Sequence, residues 1–375
     1  MRDRSVVPLP SRATGLYIRP TGGIFPGVDG GSEMTTDIRG RDFLRLADFE
    51  ISEINDILDL AAEMKREQRH WSLKGRTIIM LFFNSSLRTR TSFEIGAAQL
   101  QAHPVVLNVG QDAWNLEWRE GVVMDGDSPE HIKDAAKTLS RYGDALAVRS
   151  FPKLKSYDED RTDPILSSFA KYASLPLVNL ESAVEHPCQG LADLMTLREI
   201  FNQTTRRKKV VLSWAPHVKP LPLAVPHSFL LAAAMGGCDV TVAHPPKFEL
   251  APEVMEQAQQ IAAKSGGTVK VSNNQDEAFK GAGVIYAKSW LSREFYGRPA
   301  EEFAYRKTLP SWTISEAKMG QTNRAKFMHC LPIRRNVVAT DGVLDDDDCV
   351  IYQQAENRLH AQKALLVKLL GESPS

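Results

Sequence analysis

Residues 77–91 read Thr77-Ile78-Ile79-Met80-Leu81-Phe82-Phe83-Asn84-Ser85-Ser86-Leu87-Arg88-Thr89-Arg90-Thr91. Thr77 to Phe83 is a short apolar run, and Asn84-Ser85-Ser86 ends it with side chains suited to capping a helix. The pattern predicts a buried strand delivered onto a helix over Arg88–Leu100, with Phe93, Ala97 and Leu100 on one face. At such a junction the free backbone N–H groups and the helix dipole favour an anion. Arg88 and Arg90 add forked donors matched to phosphate oxygens. A cap alone accounts for Ser85 or Ser86, but not for two arginines beside Thr89.

The same rhythm extends outward. Apolar spacing from Leu44 to Leu60 predicts an amphipathic helix running toward Arg69. Further strands are expected at Pro104–Asn108, Asp144–Val148 and Leu175–Leu180, with a helix over Ile132–Tyr142. A second set follows: strands at Lys208–Trp214, Asp239–Ala243, Thr268–Val271, Gly283–Ala287 and Ala325–His329, and helices over Leu191–Phe201, Phe229–Met235 and Pro252–Lys264. Glu356–Leu370 reads as an amphipathic terminal helix through Leu359, Ala361, Leu365, Leu366 and Leu369. Short apolar strands alternating with helices predict an α/β fold of two doubly wound parallel-sheet domains with a cleft between them. Ligands in such folds gather at the carboxyl ends of strands.

Composition narrows the partners. The 375 residues carry 46 basic and 46 acidic side chains, so no global field draws nucleic acid or an anionic membrane. No apolar stretch approaches the roughly 18 residues that span a bilayer. The four cysteines form no C-x-x-C pair, which fits neither a disulfide framework nor a zinc cluster and predicts a reducing, cytoplasmic setting. No metal or cofactor is expected, and the partners are small molecules. Residues 1–40, rich in Gly, Pro, Arg and Ser, read as a disordered extension or an upstream mis-start before Met34, with a transit peptide as the competing idea.

Two further motifs lie at strand ends. His186-Pro187-Cys188-Gln189 follows the strand ending at Leu180, and its His and Gln can both donate toward one carbonyl oxygen. Taken alone, His186 is as readily a structural histidine. His329-Cys330-Leu331-Pro332 follows the strand Ala325–His329, and non-helical backbone before a proline offers carbonyls that can accept from an amide NH2. Cys330 would serve equally as core filler.

In this order and spacing the three motifs resemble the transcarbamylase family, over residues from about Thr36 to Leu370. The resemblance implies a carbamoyl-phosphate-binding domain (41–185), an acylornithine-binding domain (186–352), and a C-terminal helix (353–375) packing back on the first. It also implies a homotrimer with sites between subunits. By position, Ser86, Leu87, Arg88 and Thr89 would hold the phosphate. Arg149, His186 and Gln189 would address the phosphate or carbonyl oxygen, and Cys330 and Leu331 would take the carbamoyl NH2 through their carbonyls. Arg358 would reach carbamoyl phosphate, and Trp114 would be lent to a neighbouring subunit, although on residue type alone it fits a core. Arg149, His186, Gln189 and Cys330 are thus the expected catalytic set.

The resemblance is to the acylornithine branch, through Met124-Asp-Gly-Asp127, Asp112-Ala-Trp114, Ala287-Lys288-x-Trp290 and Ala355-x-Asn357-Arg358. Enzymes of free ornithine carry an acidic Asp-x-x-x-Ser-Met-Gly segment where this chain has Lys288. Lysine would repel an α-ammonium but suit the α-carboxylate of an ornithine whose α-nitrogen is acylated. Glu181 would face the side-chain amine, and Leu331 would border both substrates. Pro129 stands where the acetyl branch places a glutamate and the succinyl branch a proline; a carboxylate there would repel a succinyl group. His217 and Lys219, in a proline-rich loop like that of the succinyl branch, would meet that carboxylate or else be solvated. Val338 also leans away from acetyl. The expected reaction is therefore carbamoyl transfer to N-succinylornithine in arginine biosynthesis. N-acetylornithine is the alternative, and a non-catalytic trimeric carbamoyl-phosphate-binding protein comes below it.

Overall fold

The computed structural model describes residues 37–66 and 71–371. The expected disordered extension lies, for its first 36 residues, outside the described residues. Its last few positions are described: Ile38 is buried in the core, and the Gly40 N–H donates to the Leu369 carbonyl.

Two parallel sheets organise the chain. The first runs in the order β2 (His103–Asn108), β1 (Thr77–Phe82), β3 (Ala145–Arg149), β4 (Leu177–Glu181). The second runs β9 (Lys326–Met328), β8 (Val284–Lys288), β5 (Lys209–Trp214), β6 (Asp239–Ala243), β7 (Thr268–Ser272). In β1, Ile78, Met80 and Phe82 enter one apolar cluster, while Ile79 and Leu81 enter another with Leu146, Val148 and Phe169. This alternation is what a strand covered on both faces requires, and it explains the unbroken apolar run in the sequence.

The chain reverses its direction of winding between β1 and β3 in the first sheet, and between β5 and β8 in the second. Phe82 pairs with Arg149 at one switch point, and Trp214 pairs with Lys288 at the other. Arg149 and Lys288, two of the expected cationic site residues, thus stand where open α/β sheets bind ligands.

Helices α1 (Ile51–Arg66), α2 (Arg88–Gln99), α3 (Ile132–Leu139), α4 (Pro164–Tyr172), α5 (Pro187–Ile200), α6 (Ala224–Met235), α7 (Pro252–Ser265) and α8 (Ile351–Leu370) cover the sheets. α8 packs on α1, α2 and α5. None of the described helices is long and apolar enough to cross a membrane.

Several boundaries depart from the expected ones. α6 begins five residues before Phe229, because Pro226 falls in its first turn, where no backbone N–H is needed. α5 begins at Pro187, so the second motif is a helix N-terminus rather than the loop before one. α8 begins at Ile351 and buries Gln354, Asn357, Arg358 and Gln362 as well as Leu365, Leu366 and Leu369, while Leu359 and Leu370 are half-buried.

Candidate active site

The first motif is built by α2. Ser86 Oγ accepts the Thr89 N–H at 3.2 Å, which frames the helix start, and Leu87 is 74% exposed at the rim. Arg88 is half-buried; burial and the nearby Arg149 push its pKa down. An anion beside it would reverse that cost.

Arg149 closes β3, buried beside Phe151, whose ring centroid is 4.4 Å from the guanidinium carbon. It donates to Glu181 Oε2 and, at 3.5 Å, to the Ser85 carbonyl of the first motif. Glu181 Oε2 also lies 3.6 Å from His186 Nε2. Arg149 and Glu181, expected to serve different substrates, are here paired with each other.

The start of α5 is fixed from both sides. Ser228 Oγ of α6 accepts the His186 N–H at 2.7 Å. A Cβ on Gly190 would fall 2.5 Å from Leu46 Cδ1 and 3.1 Å from the Ser228 carbonyl, so glycine permits the close approach that seats Gln189. His186 is pushed well below the ordinary imidazole pKa by burial, then by Arg358, Arg149 and Lys288, and is neutral. Its Nδ1 is buried without a hydrogen-bond partner among the described residues, as is Arg149 Nε. A bound ligand would be one way to satisfy such orphaned buried nitrogens.

Arg358 joins the first two motifs from α8. Fully buried, it donates to Gln189 Oε1 at 2.7 Å, Thr89 Oγ1 at 3.1 Å and Gln362 Oε1 at 2.9 Å. None of these acceptors carries charge. The third motif follows β9: Leu331 has φ of 56°, and its N–H donates to His329 Nδ1 at 2.8 Å. Cys330 is half-buried, its thiol pushed up by burial and drawn back by Lys288 and Arg88. The core-filler reading of Cys330 is thus not the whole of its placement.

Lys288 ends β8 at 9% exposure and acts electrostatically on His186, His329 and Cys330. Arg88, Arg149, Arg358 and Lys288 therefore converge on a region where Glu181 is the acid in direct contact with one of them. The arrangement is cationic and suits two anionic groups.

The remaining expected residues are placed differently. Trp114 is 68% exposed, which removes the core reading within this chain. Trp114 and the exposed Pro129 lie on the excursion between β2 and α3, where Leu116–Glu117 pairs with Glu130–His131. No hydrogen bond or ring contact joins either to the cleft among the described residues. Lys219 is exposed. His217 is half-buried and pushed down to about 4 by burial, so it is neutral at pH 7. Its Nε2 accepts from Arg334 Nε at 3.2 Å and its Nδ1 meets the Lys219 carbonyl at 3.0 Å. Both nitrogens are engaged, so any donors offered at that edge come from the Lys219 ammonium and the terminal nitrogens of Arg334. Sequence reasoning gives Arg334 no role, although it lies two residues beyond the third motif.

Comparison with known proteins identifies the family. The aspartate/ornithine carbamoyltransferase carbamoyl-P binding domain matches residues 41–199, and the Asp/Orn binding domain of the same family matches residues 224–369. N-acetylornithine carbamoyltransferase of Xanthomonas campestris pv. campestris is 46% identical over 88% of this chain and 98% of its own. N-succinylornithine carbamoyltransferase of Bacteroides thetaiotaomicron is 38% identical over 86% of this chain and 96% of its own. The crystal structure of acetylornithine transcarbamylase complexed with acetylcitrulline superimposes with a TM-score of 0.87 at 46% identity, covering 88% of this chain and all of that one. This chain belongs to the aspartate/ornithine carbamoyltransferase family and is a carbamoyltransferase.

Proposed function

We propose that the chain transfers the carbamoyl group of carbamoyl phosphate to the side-chain amine of an N-acylated ornithine, with N-acetylornithine as the acceptor. The observation that carries the acylated acceptor is Lys288, a buried cation at the switch point of the second sheet. An α-ammonium brought against it would be repelled at low effective dielectric, whereas an α-carboxylate beside an uncharged amide nitrogen is attracted. The acetyl group draws its support from the relatives: 46% identity to an N-acetylornithine enzyme against 38% to an N-succinylornithine enzyme. That preference reverses the expectation from the sequence.

The residues divide the chemistry among them. Ser86, Leu87, Arg88 and Thr89 receive the phosphate at the N-terminus of α2, and Arg149 and Arg358 share its charge. His186, neutral, and Gln189 donate to the carbonyl oxygen, whose charge grows as the amine attacks. The Cys330 and Leu331 carbonyls accept from the carbamoyl NH2 and so orient the planar group. Glu181 draws the substrate amine toward the carbonyl carbon. The amine's nitrogen bonds to that carbon, the carbon–oxygen bond to phosphate breaks, and the departing phosphate takes the proton the amine must lose. Trp114 and Pro129 act on a neighbouring copy in a homotrimer, and His217 with Lys219 borders the acyl end.

A second reading, N-succinylornithine, is favoured by Pro129, which puts no carboxylate beside a succinyl tail, and by the exposed Arg334 guanidinium, whose Nε donates to His217 at that edge. Initial rates with N-acetylornithine, N-succinylornithine and free ornithine, at saturating carbamoyl phosphate, test both readings. Preference for the acetyl compound is expected. Preference for the succinyl compound would restore the Pro129 argument, and preference for free ornithine would overturn the role of Lys288. Carbamoyl-phosphate binding without turnover on any amine would identify a binding protein instead.

A further inference from the structure

Behind the cleft, the second and third motifs are joined by two side chains that neither contains. α5 is buried continuously from Pro187 to Leu197, and inside it Asp193 is fully buried. Asp193 Oδ1 accepts from Gln189 Nε2 at 2.8 Å and from Gln354 Nε2 at 2.7 Å. Gln354 in turn accepts the His329 N–H at 2.9 Å on its Oε1.

The orientation of both amides is forced. Arg358 can only donate, so Gln189 must turn its Oε1 toward it, and the His329 N–H does the same for Gln354. Both amide nitrogens then converge on a single oxygen. With these bonds made, Gln189 keeps one N–H free to meet a ligand. Burial pushes the Asp193 carboxyl up to about 7. The Tyr286 hydroxyl of β8 and the Arg358 guanidinium of α8 face the same carboxyl. A carboxyl this buried costs several kcal/mol as an ion, so its presence within the buried stretch of this helix calls for a role.

We propose that Asp193 and Gln354 are positioning residues for carbamoyl transfer: Asp193 Oδ1 sets the Gln189 amide and, through Gln354, the backbone of the His329–Leu331 loop. The donor to the carbamoyl oxygen and the acceptors of the carbamoyl nitrogen thereby keep one fixed separation. Neither residue touches the reacting atoms. The inference rests on the reading of Gln189, Cys330 and Leu331 given above. A displacement of about 1 Å at a reacting centre costs on the order of a hundredfold in rate.

The test compares kcat and KM for both substrates in the full chain and in Gln354→Met, Asp193→Ala and Asp193→Asn, with thermal midpoints confirming that each is folded at the assay temperature. Gln354→Met keeps side-chain volume and helix propensity, so it decides the matter if Asp193→Ala does not fold. Gln354→Met and Asp193→Ala should lower kcat by about 10- to 100-fold with KM for carbamoyl phosphate changed by less than about threefold, since the phosphate is held by α2. Asp193→Asn, which keeps the shared oxygen, should retain about a third or more of the rate. The inference is overturned if Gln354→Met turns over at the parent rate, or if Asp193→Asn is as slow as Asp193→Ala. It is also overturned if KM for carbamoyl phosphate rises as far as kcat falls, the mark of general loosening. No transfer by the unaltered chain would instead defeat the proposed reaction, and this inference with it.

Discussion

Arg358→Met separates a binding role from a structural one, because the buried guanidinium has no carboxylate in direct contact among the described residues. Its three hydrogen bonds go to neutral oxygens of Gln189, Thr89 and Gln362, and burial pushes its pKa down. Removing the charge relieves a desolvation cost of several kcal/mol and forfeits three bonds of about 1.5–3 kcal/mol each, so the free chain should change stability only by about 1–2 kcal/mol. For a domain of this size that is a thermal midpoint shift of a few degrees, on the order of 2–4 °C per kcal/mol. The liganded state behaves otherwise. Losing a charge-assisted bond of about 1.5–3 kcal/mol to carbamoyl phosphate lowers kcat/KM for that substrate by about 10- to 150-fold. Phosphate supplies an independent reading: at a hundred times its Kd it should stabilise the parent chain by about 2.7 kcal/mol, and the variant markedly less. Steady-state kinetics and melting curves with and without phosphate cover both halves. A variant that melts more than about 10 °C lower, yet keeps parent kcat/KM per folded molecule, would refute the reasoning and leave Arg358 as a strut between α8 and α5.

Glu185, buried and with one oxygen accepting the Leu46 N–H at 3.1 Å, has its carboxyl pushed up to about 8 by burial. The folded chain therefore holds a proton that an unfolded carboxyl releases near pH 4.3, and stability falls as pH rises through that window by up to about 1.4 kcal/mol per unit. His227, pushed down to about 4 by burial, opposes this only below its unfolded value of roughly 6.5. Melting temperatures should thus fall from pH 6.5 to 8, and Glu185→Gln should flatten the slope; an unchanged slope would reassign it. Pro129→Glu should move acyl preference from succinyl toward acetyl by about tenfold if one carboxylate repels another across the pocket, and identical selectivity would remove Pro129 from the acyl site. Trp114→Ala and Arg88→Ala should each be nearly inactive without melting earlier. Co-assembled, they should recover about a quarter of parent activity if a site takes Arg88 from one copy and Trp114 from the next; no recovery would place both in one chain's site.

The sheets were legible because their central strands are covered on both faces, so Ile78–Phe83 and Val210–Leu212 are unbroken apolar runs. Where a strand is only half covered the signal thins, as in β2, whose His103 is exposed. α4 gives no such signal: it starts on Asp163-Pro164 after a stretch of mixed charge, and only Leu166 and Phe169 of its residues are buried. The first two motifs were legible because local spacing dictates what a helix N-terminus presents, and the third because a strand end and a proline mark it. The groups that join them were not, because Gln354 and Asp193 meet across 161 residues, and no periodicity encodes a hydrogen bond between two buried polar groups on different helices. One signal was available: Asp193 and Thr196 interrupt a helix that is otherwise apolar from Leu191 to Leu197. A polar residue in such a helix has to be satisfied by a partner, and for Asp193 the partners are Gln189 and Gln354. α8 misleads for the same reason. Its leucines give a stripe and its Gln, Asn and Arg an apparently solvated face, whereas Gln354, Asn357, Arg358 and Gln362 of that face are buried. An amphipathic pattern reports only that two faces differ, and a cleft that binds anions can bury the polar one.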